Sequence, residues 1–107
     1  MGKLAEIPIA CDLDALTPAE RERRRTLVGA LAQAIVGRAE LDRGFGLRVD
    51  LAKLDLPALA EWIALERRCC PFLNFTIELG PGDGPVTVAL SGGDGVREFL
   101  RAEMGLR

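Results

Sequence analysis

Within the stretch ERRCCPFLNFTIEL, residues 66–79, a helical pattern of apolar residues changes to an alternating pattern. Pro71 disfavours helical geometry at the residue before it, so a helix that begins near Leu56 is predicted to end at Cys69 or Cys70. Beyond the proline every second residue is apolar, which is typical of a β-strand with one buried and one solvated face. The stretch therefore predicts a helix that leads directly into a strand.

Patterns on either side of residues 66–79 predict the other elements. Thr17–Glu20 forms a capping box with proline at the first helical position, and it opens a helix that runs to about Val36. The remaining predicted strands cover residues 7–11, 45–51 and 86–90, and a last helix follows residue 95. The predicted order is β-α-β-α-β-β-α, in a single α+β domain over residues 1–107.

Alternation in three of the four predicted strands suggests a sheet with one polar face. All helices would then cover the other face, so we predict a two-layer, open-faced α+β sandwich. A thioredoxin-like fold is the alternative, because its core has the same element order, but it carries helices on both faces and needs more uniformly apolar strands. In the two-layer sandwich with right-handed crossovers, the first three predicted strands are expected to run parallel. In the thioredoxin-like layout the third strand is reversed.

Composition narrows the possible functions. The net charge of −2 over 107 residues does not favour binding to nucleic acid through its phosphates. The sequence contains neither an apolar run of the roughly 20 residues that span a bilayer nor a signal-peptide pattern at its start, so we expect a cytoplasmic protein without a membrane partner. Histidine is absent, which removes the commonest general base and zinc ligand.

Two adjacent cysteines and a glutamate mark a candidate site at the end of the second predicted helix. On a helical wheel Glu66 falls on the core-facing arc, between Cys69 at i+3 and Cys70 at i+4. A carboxylate that faces a core needs a partner. A soft metal ion such as Cu(I), Zn(II) or Hg(II), held by Cys69, Cys70 and Glu66 with Cys11 as a further ligand, would provide one.

Catalysis by these thiols is not predicted, because a helix C-terminus raises the pKa of a thiol. Two other interpretations stay open: the cysteines pack as small apolar residues while Glu66 pairs with an arginine, or Cys11 and Cys70 exchange a disulfide in a thiol-redox protein. In the packing case the protein would be an interaction or dimerisation domain. The arginines of residues 20–25 are interpreted as a solvated first turn.

The predicted topology conflicts with a site that includes Cys11. In a parallel arrangement Cys11 would end its strand at one edge of the sheet, and Cys70 would lie about 16 Å away at the opposite edge. The thioredoxin-like layout would remove the conflict, because its reversed third strand brings Cys11 close to Cys70. A homodimer or an antiparallel first strand would also remove it.

The pattern resembles that of a family of small bacterial proteins that are encoded beside, or fused to, heavy-metal-responsive regulators of the MerR type. The matching residues are Cys11, Glu66, Cys69, Cys70, Pro71 and Phe72, with Phe75 following. The resemblance implies a role in handling metals or thiol-reactive toxicants, by association with those neighbours. It supports a non-enzymatic binding module for a soft metal ion as the leading hypothesis.

Overall fold

The computed structural model describes residues 9–104, and over that range the chain forms three α-helices, four β-strands and one short 3₁₀ helix at Leu13–Ala15. In chain order the main elements are α1 (Pro18–Ala34), β1 (Ile35–Leu41), β2 (Gly44–Val49), α2 (Leu56–Cys69), β3 (Asn74–Glu78), β4 (Val86–Ser91) and α3 (Val96–Met104).

The four strands form one antiparallel sheet in the order β1-β2-β4-β3. Phe45, Leu47 and Val49 of β2 are buried on one face, whereas Arg48 between them is exposed on the other. The helices pack on the apolar face, so the predicted two-layer α+β sandwich is confirmed. The thioredoxin-like alternative does not fit, because every strand pair formed by residues 9–104 is antiparallel.

The predicted first strand is not found where the structure describes it. Ile7 and Pro8 lie outside the described residues, and Ile9–Cys11 are in bends and irregular backbone. The amide of Asp12 donates instead to the carbonyl of Cys69, at 2.7 Å, which fixes this segment against the end of α2. The predicted parallel crossovers are therefore wrong: the described order is α-β-β-α-β-β-α.

The strand that the sequence analysis missed is β1. The first helix ends at Ala34 rather than near Val36, and the chain enters β1 at once, pairing with β2 through a hairpin at Asp42 and Arg43. Most side chains of β1 are exposed, so it lacks the alternation that marks a strand in sequence. Gly44 starts β2 where a Cβ atom would collide with the Leu90 carbonyl oxygen, which makes glycine necessary there.

Two other predicted boundaries hold, whereas β2 ends at Val49 and not at residue 51. Thr17 and Glu20 form the capping box, with the Glu20 amide donating to the Thr17 hydroxyl at 3.1 Å. Helix α2 ends at Cys69, and Cys70 leaves helical geometry with φ −126° and ψ 68°, as expected before Pro71. The boundary between α2 and β3 thus lies where the proline puts it.

The burial of β3 differs from the prediction at one end. Asn74, Thr76 and Glu78 are exposed as predicted. Of the apolar residues predicted to be buried, Leu73 is buried, Phe75 is half-buried and Ile77 keeps 37% of its surface accessible. Because β3 is an edge strand, its far end extends past the helix layer that covers Leu73.

Candidate metal and thiol site

The end of α2 carries the candidate site. Glu66, Cys69 and Cys70 are all buried, and Glu66 has no accessible surface. Their spacing of three and four residues brings them onto one side of the helix end, where they face the core. The predicted position of Glu66 between the two cysteines on the inner arc of the helix agrees with this burial.

The carboxylate of Glu66 is shared between an arginine and a sulfur. Its Oε2 accepts a hydrogen bond from Nε of Arg24 on α1 at 2.6 Å. Its Oε1 lies 3.6 Å from Sγ of Cys70. The inward orientation towards a cysteine sulfur is as expected, but the ion pair with Arg24 by itself accounts for the buried charge. Glu66 therefore pairs with an arginine and also faces a cysteine sulfur, which are the two arrangements expected from the sequence.

Arg24 is the site residue that sequence reasoning missed. The charge-dense pattern of residues 20–25 predicts a solvated side chain at Arg24, but this arginine packs inward against Glu66. Its position does carry a signal: it lies three residues before Leu27 and seven before Leu31, both buried on the inner stripe of α1. An arginine on an apolar stripe has to find a buried partner.

Cys11 joins the site through a disulfide bond with Cys70, although the two residues are 59 positions apart in sequence. Their Cα atoms are 4.8 Å apart, within the normal range for a disulfide. The expected separation of about 16 Å is wrong, because Cys11 lies in a segment that folds over the end of α2 and not in an edge strand. The open-faced sandwich and a site with three cysteines are thus compatible.

Cys69 is the free thiol of the site. Its sulfur lies 3.8 Å from that of Cys70. Burial raises the pKa of the Cys69 thiol, the charge of Glu66 raises it further, and Arg24 opposes both effects. Cys69 is therefore a neutral thiol at pH 7, a state that disfavours nucleophilic attack.

Cys70 has a different chemistry in the two redox states. In the disulfide its sulfur carries no proton, so the 3.6 Å distance to Glu66 is a packing contact. After reduction the same geometry allows the Cys70 thiol to donate to Oε1 of Glu66. The oxidation state of Cys70 thus decides whether this group of side chains has one free thiol or three.

The ligand atoms of Glu66, Cys69 and Cys70 all lie within 4.8 Å of one another, so the group could hold a metal ion. A cleft of about 200 Å³ opens onto it, lined by Cys11, Leu13, Arg24, Glu66 and Glu103. Cys11 is exposed, whereas the other two cysteines are buried. A small ion or a thiol reagent would therefore reach the site from the side of Cys11.

Comparison of the chain with protein-family models, with curated proteins and with solved structures finds no match. The resemblance to the MerR-associated family stays a prediction. Within residues 9–104, none of the helices has both the length and the apolar character needed to cross a membrane.

Proposed function

We propose that the reduced protein binds one soft metal ion through the thiolates of Cys11, Cys69 and Cys70, with Glu66 completing the ligand set. The convergence of three cysteines on a buried carboxylate carries this proposal. Thiolates select Cu(I), Zn(II) and Hg(II) over hard ions such as Mg²⁺. The absence of histidine leaves sulfur as the principal donor.

The spacing of the two adjacent cysteines supports a shared ion. Two sulfurs that each lie about 2.3 Å from one tetrahedral ion are separated by about 3.8 Å. The sulfurs of Cys69 and Cys70 are 3.8 Å apart. These two side chains can therefore ligate one ion with little movement once Cys70 is reduced.

Arg24 gives Glu66 an orientation suited to a metal ligand. It holds Oε2 by a hydrogen bond, while Oε1 faces the sulfur of Cys70. A hydrogen bond to one oxygen that leaves the other free is a common way to fix a ligating carboxylate. The arginine charge also offsets the negative charge of the thiolates that form when an ion binds.

A thiol-redox protein is the second candidate, and the Cys11–Cys70 disulfide favours it. A dithiol reductant would break the Cys11–Cys70 bond, leaving two protein thiols and an oxidised reductant. Because Cys70 takes part in both the disulfide and the proposed ligand set, the same sulfur cannot serve both at once. Metal binding and disulfide formation then exclude one another.

Native mass spectrometry of anaerobically reduced protein with Cu(I), Zn(II) or Hg(II) tests the proposal. We expect one ion for each reduced chain, none in Cys70→Ser, and none in the oxidised protein. Cys69→Ser should also weaken binding, because a hydroxyl is a poor ligand for soft ions. Glu66→Gln should weaken binding, whereas Glu61→Gln on the outer side of α2 is the matched control and should leave it unchanged.

Thermal unfolding of each variant is compared with that of the reduced wild type, because Cys70→Ser also removes the disulfide. Unchanged metal stoichiometry in both serine variants would refute the metal site. If metal binding is refuted but the Cys11–Cys70 disulfide equilibrates with a dithiol redox buffer, the thiol-redox function is favoured over metal binding.

A further inference from the structure

Strand β3 forms one edge of the sheet, and within residues 9–104 no strand pairs with its outer side. Two apolar side chains near its end are accessible, with Ile77 37% and Leu79 55% exposed. Unpaired backbone groups beside exposed apolar residues favour the addition of another strand. Natural proteins protect such an edge with charges, proline or a bulge, whereas Glu78 is the single charged residue of β3.

We propose that two copies of this chain form a dimer by antiparallel pairing of their β3 strands, centred on Thr76. In the segment LNFTIEL, residues 73–79, apolar and polar residues alternate symmetrically about Thr76, and both ends are apolar. The strand Asn74–Glu78 has the same centre. A twofold axis through this centre makes the contact self-complementary, as a closed dimer requires.

Each residue of the segment then faces one of matching character in the second copy. The facing pairs are Leu73 with Leu79, Asn74 with Glu78, Phe75 with Ile77, and Thr76 with its own equivalent. Apolar cross-strand pairs and threonine pairs stabilise antiparallel strands, and the asparagine amide can donate to the glutamate. No like charges lie directly opposite one another in this register.

A cleft beside the strand fits the second copy. It has a volume of about 340 Å³ between α2 and β3, and its lining includes Ile63, Arg67, Leu73 and Phe75. Leu79 of the second copy lies opposite Leu73 in the proposed register, so it would enter this cleft. The most exposed apolar side chain of the segment would thereby be buried.

The other edge of the sheet also exposes apolar side chains, at Val36 and Leu41, but charged residues protect it. Strand β1 carries Arg38 and Glu40, and Glu40 is already paired with Arg97 and Arg101 of α3. Such charges discourage the pairing of edge strands. With the axis perpendicular to the sheet, joining two β3 edges makes one continuous sheet from two four-stranded sheets, with both helix layers on the same face.

Sedimentation velocity over a range from micromolar to millimolar protein tests the dimer. Strands of five residues form a small contact, below the about 800 Å² per partner of a standard interface, so we expect a reversible monomer–dimer equilibrium. Ile77→Lys should abolish dimerisation while thermal unfolding shows a folded monomer. Val36→Lys is the matched control, since Val36 is half exposed on the opposite edge strand, and it should dimerise like the wild type.

Cross-linking tests the register. Thr76→Cys should form an oxidised dimer whose disulfide-linked peptides join position 76 to position 76, because facing Cβ atoms across antiparallel strands are about 5 Å apart. Thr87→Cys, on the central strand β4, should not cross-link. A wild type that stays monomeric at millimolar concentration, or dimerisation that Ile77→Lys leaves intact, would overturn the proposal. A monomer that dimerises only after removal of residues 1–8 would also overturn it, since the chain's own N-terminus would then occupy the edge.

Discussion

Two kinds of arginine–glutamate pair join the same two helices, α1 and α2, and they differ in their surroundings. Arg24 and Glu66 are 2.6 Å apart, with 22% and 0% of their side chains exposed. Arg68 and Glu20 are also 2.6 Å apart, but 47% and 33% of their side chains are exposed. The two pairs have the same distance between their charged atoms but differ in exposure to solvent. Their distance alone therefore does not tell how much each pair contributes to stability.

The buried pair and the exposed pair should contribute differently to stability. Water competes with an exposed pair and screens it, so its net effect is small. A buried charge that loses its partner has no solvent to replace it, so breaking the pair is costly even where forming it yielded little. The buried pair is also the one that orients the cysteine site.

Removing one partner of the buried pair should have the largest effect. Glu66→Gln should destabilise the folded state by about 3 kcal/mol, because the Arg24 charge is left without a countercharge inside the protein. Urea unfolding of the oxidised protein measures this. The matched variant Glu61→Gln removes the exposed partner of Arg23 and should unfold close to the wild type. Equal losses in the two variants would contradict the comparison.

Replacing both buried charges with apolar residues of similar volume should have a smaller effect. In the double variant Arg24→Met with Glu66→Leu, no unpaired charge remains, so stability should recover to within about 1 kcal/mol of the wild type or exceed it. Metal binding should not recover, because the carboxylate is absent. Urea unfolding and native mass spectrometry measure the two properties. Recovery of both stability and metal binding would show that Glu66 has only a structural role.

The buried thiol predicts a loss of stability at alkaline pH. Because the pKa of Cys69 is raised in the folded state, the unfolded chain loses this proton first as the pH rises, and unfolding becomes more favourable. The protein has neither histidine nor tyrosine to obscure the effect. The unfolding free energy of the oxidised wild type should therefore fall as the pH rises above the ordinary thiol pKa. The unfolding free energy of the Cys69→Ala variant should fall less steeply over the same pH range.

The exposed pair predicts the smallest effect, at acid pH. A hydrogen bond from Arg68, together with the amide of Thr17, lowers the pKa of Glu20 from 4.5 to about 2. The stabilisation is complete above the ordinary carboxyl pKa and is lost as the pH falls towards 2. Glu20→Gln should flatten this part of the stability profile. The difference should shrink at high salt, because the pair is exposed.

Local patterns predicted those parts of the fold whose cause is also local. Neighbouring residues alone determine three of these features: the capping box at Thr17, the end of α2 before Pro71, and the alternation after that proline. Strand β1 could not be found this way, because its side chains are mostly exposed and its partner β2 stabilises it through backbone hydrogen bonds. The absence of a strand at Ile9–Cys11 likewise depends on a distant contact with α2.

At the candidate site, helical periodicity is enough to place Glu66, Cys69 and Cys70 on the inner side of one helix, because residues three and four apart are neighbours there. Which other side chains contact these three residues depends on the tertiary fold. Cys11 comes from 59 residues away and Arg24 from another helix, and both are brought in by the packing of α1 and the first segment against α2. Helical periodicity fixes which residues of one helix share a face. The partner of the Glu66 charge and the disulfide partner of Cys70 come from other parts of the chain, so they depend on how the elements pack.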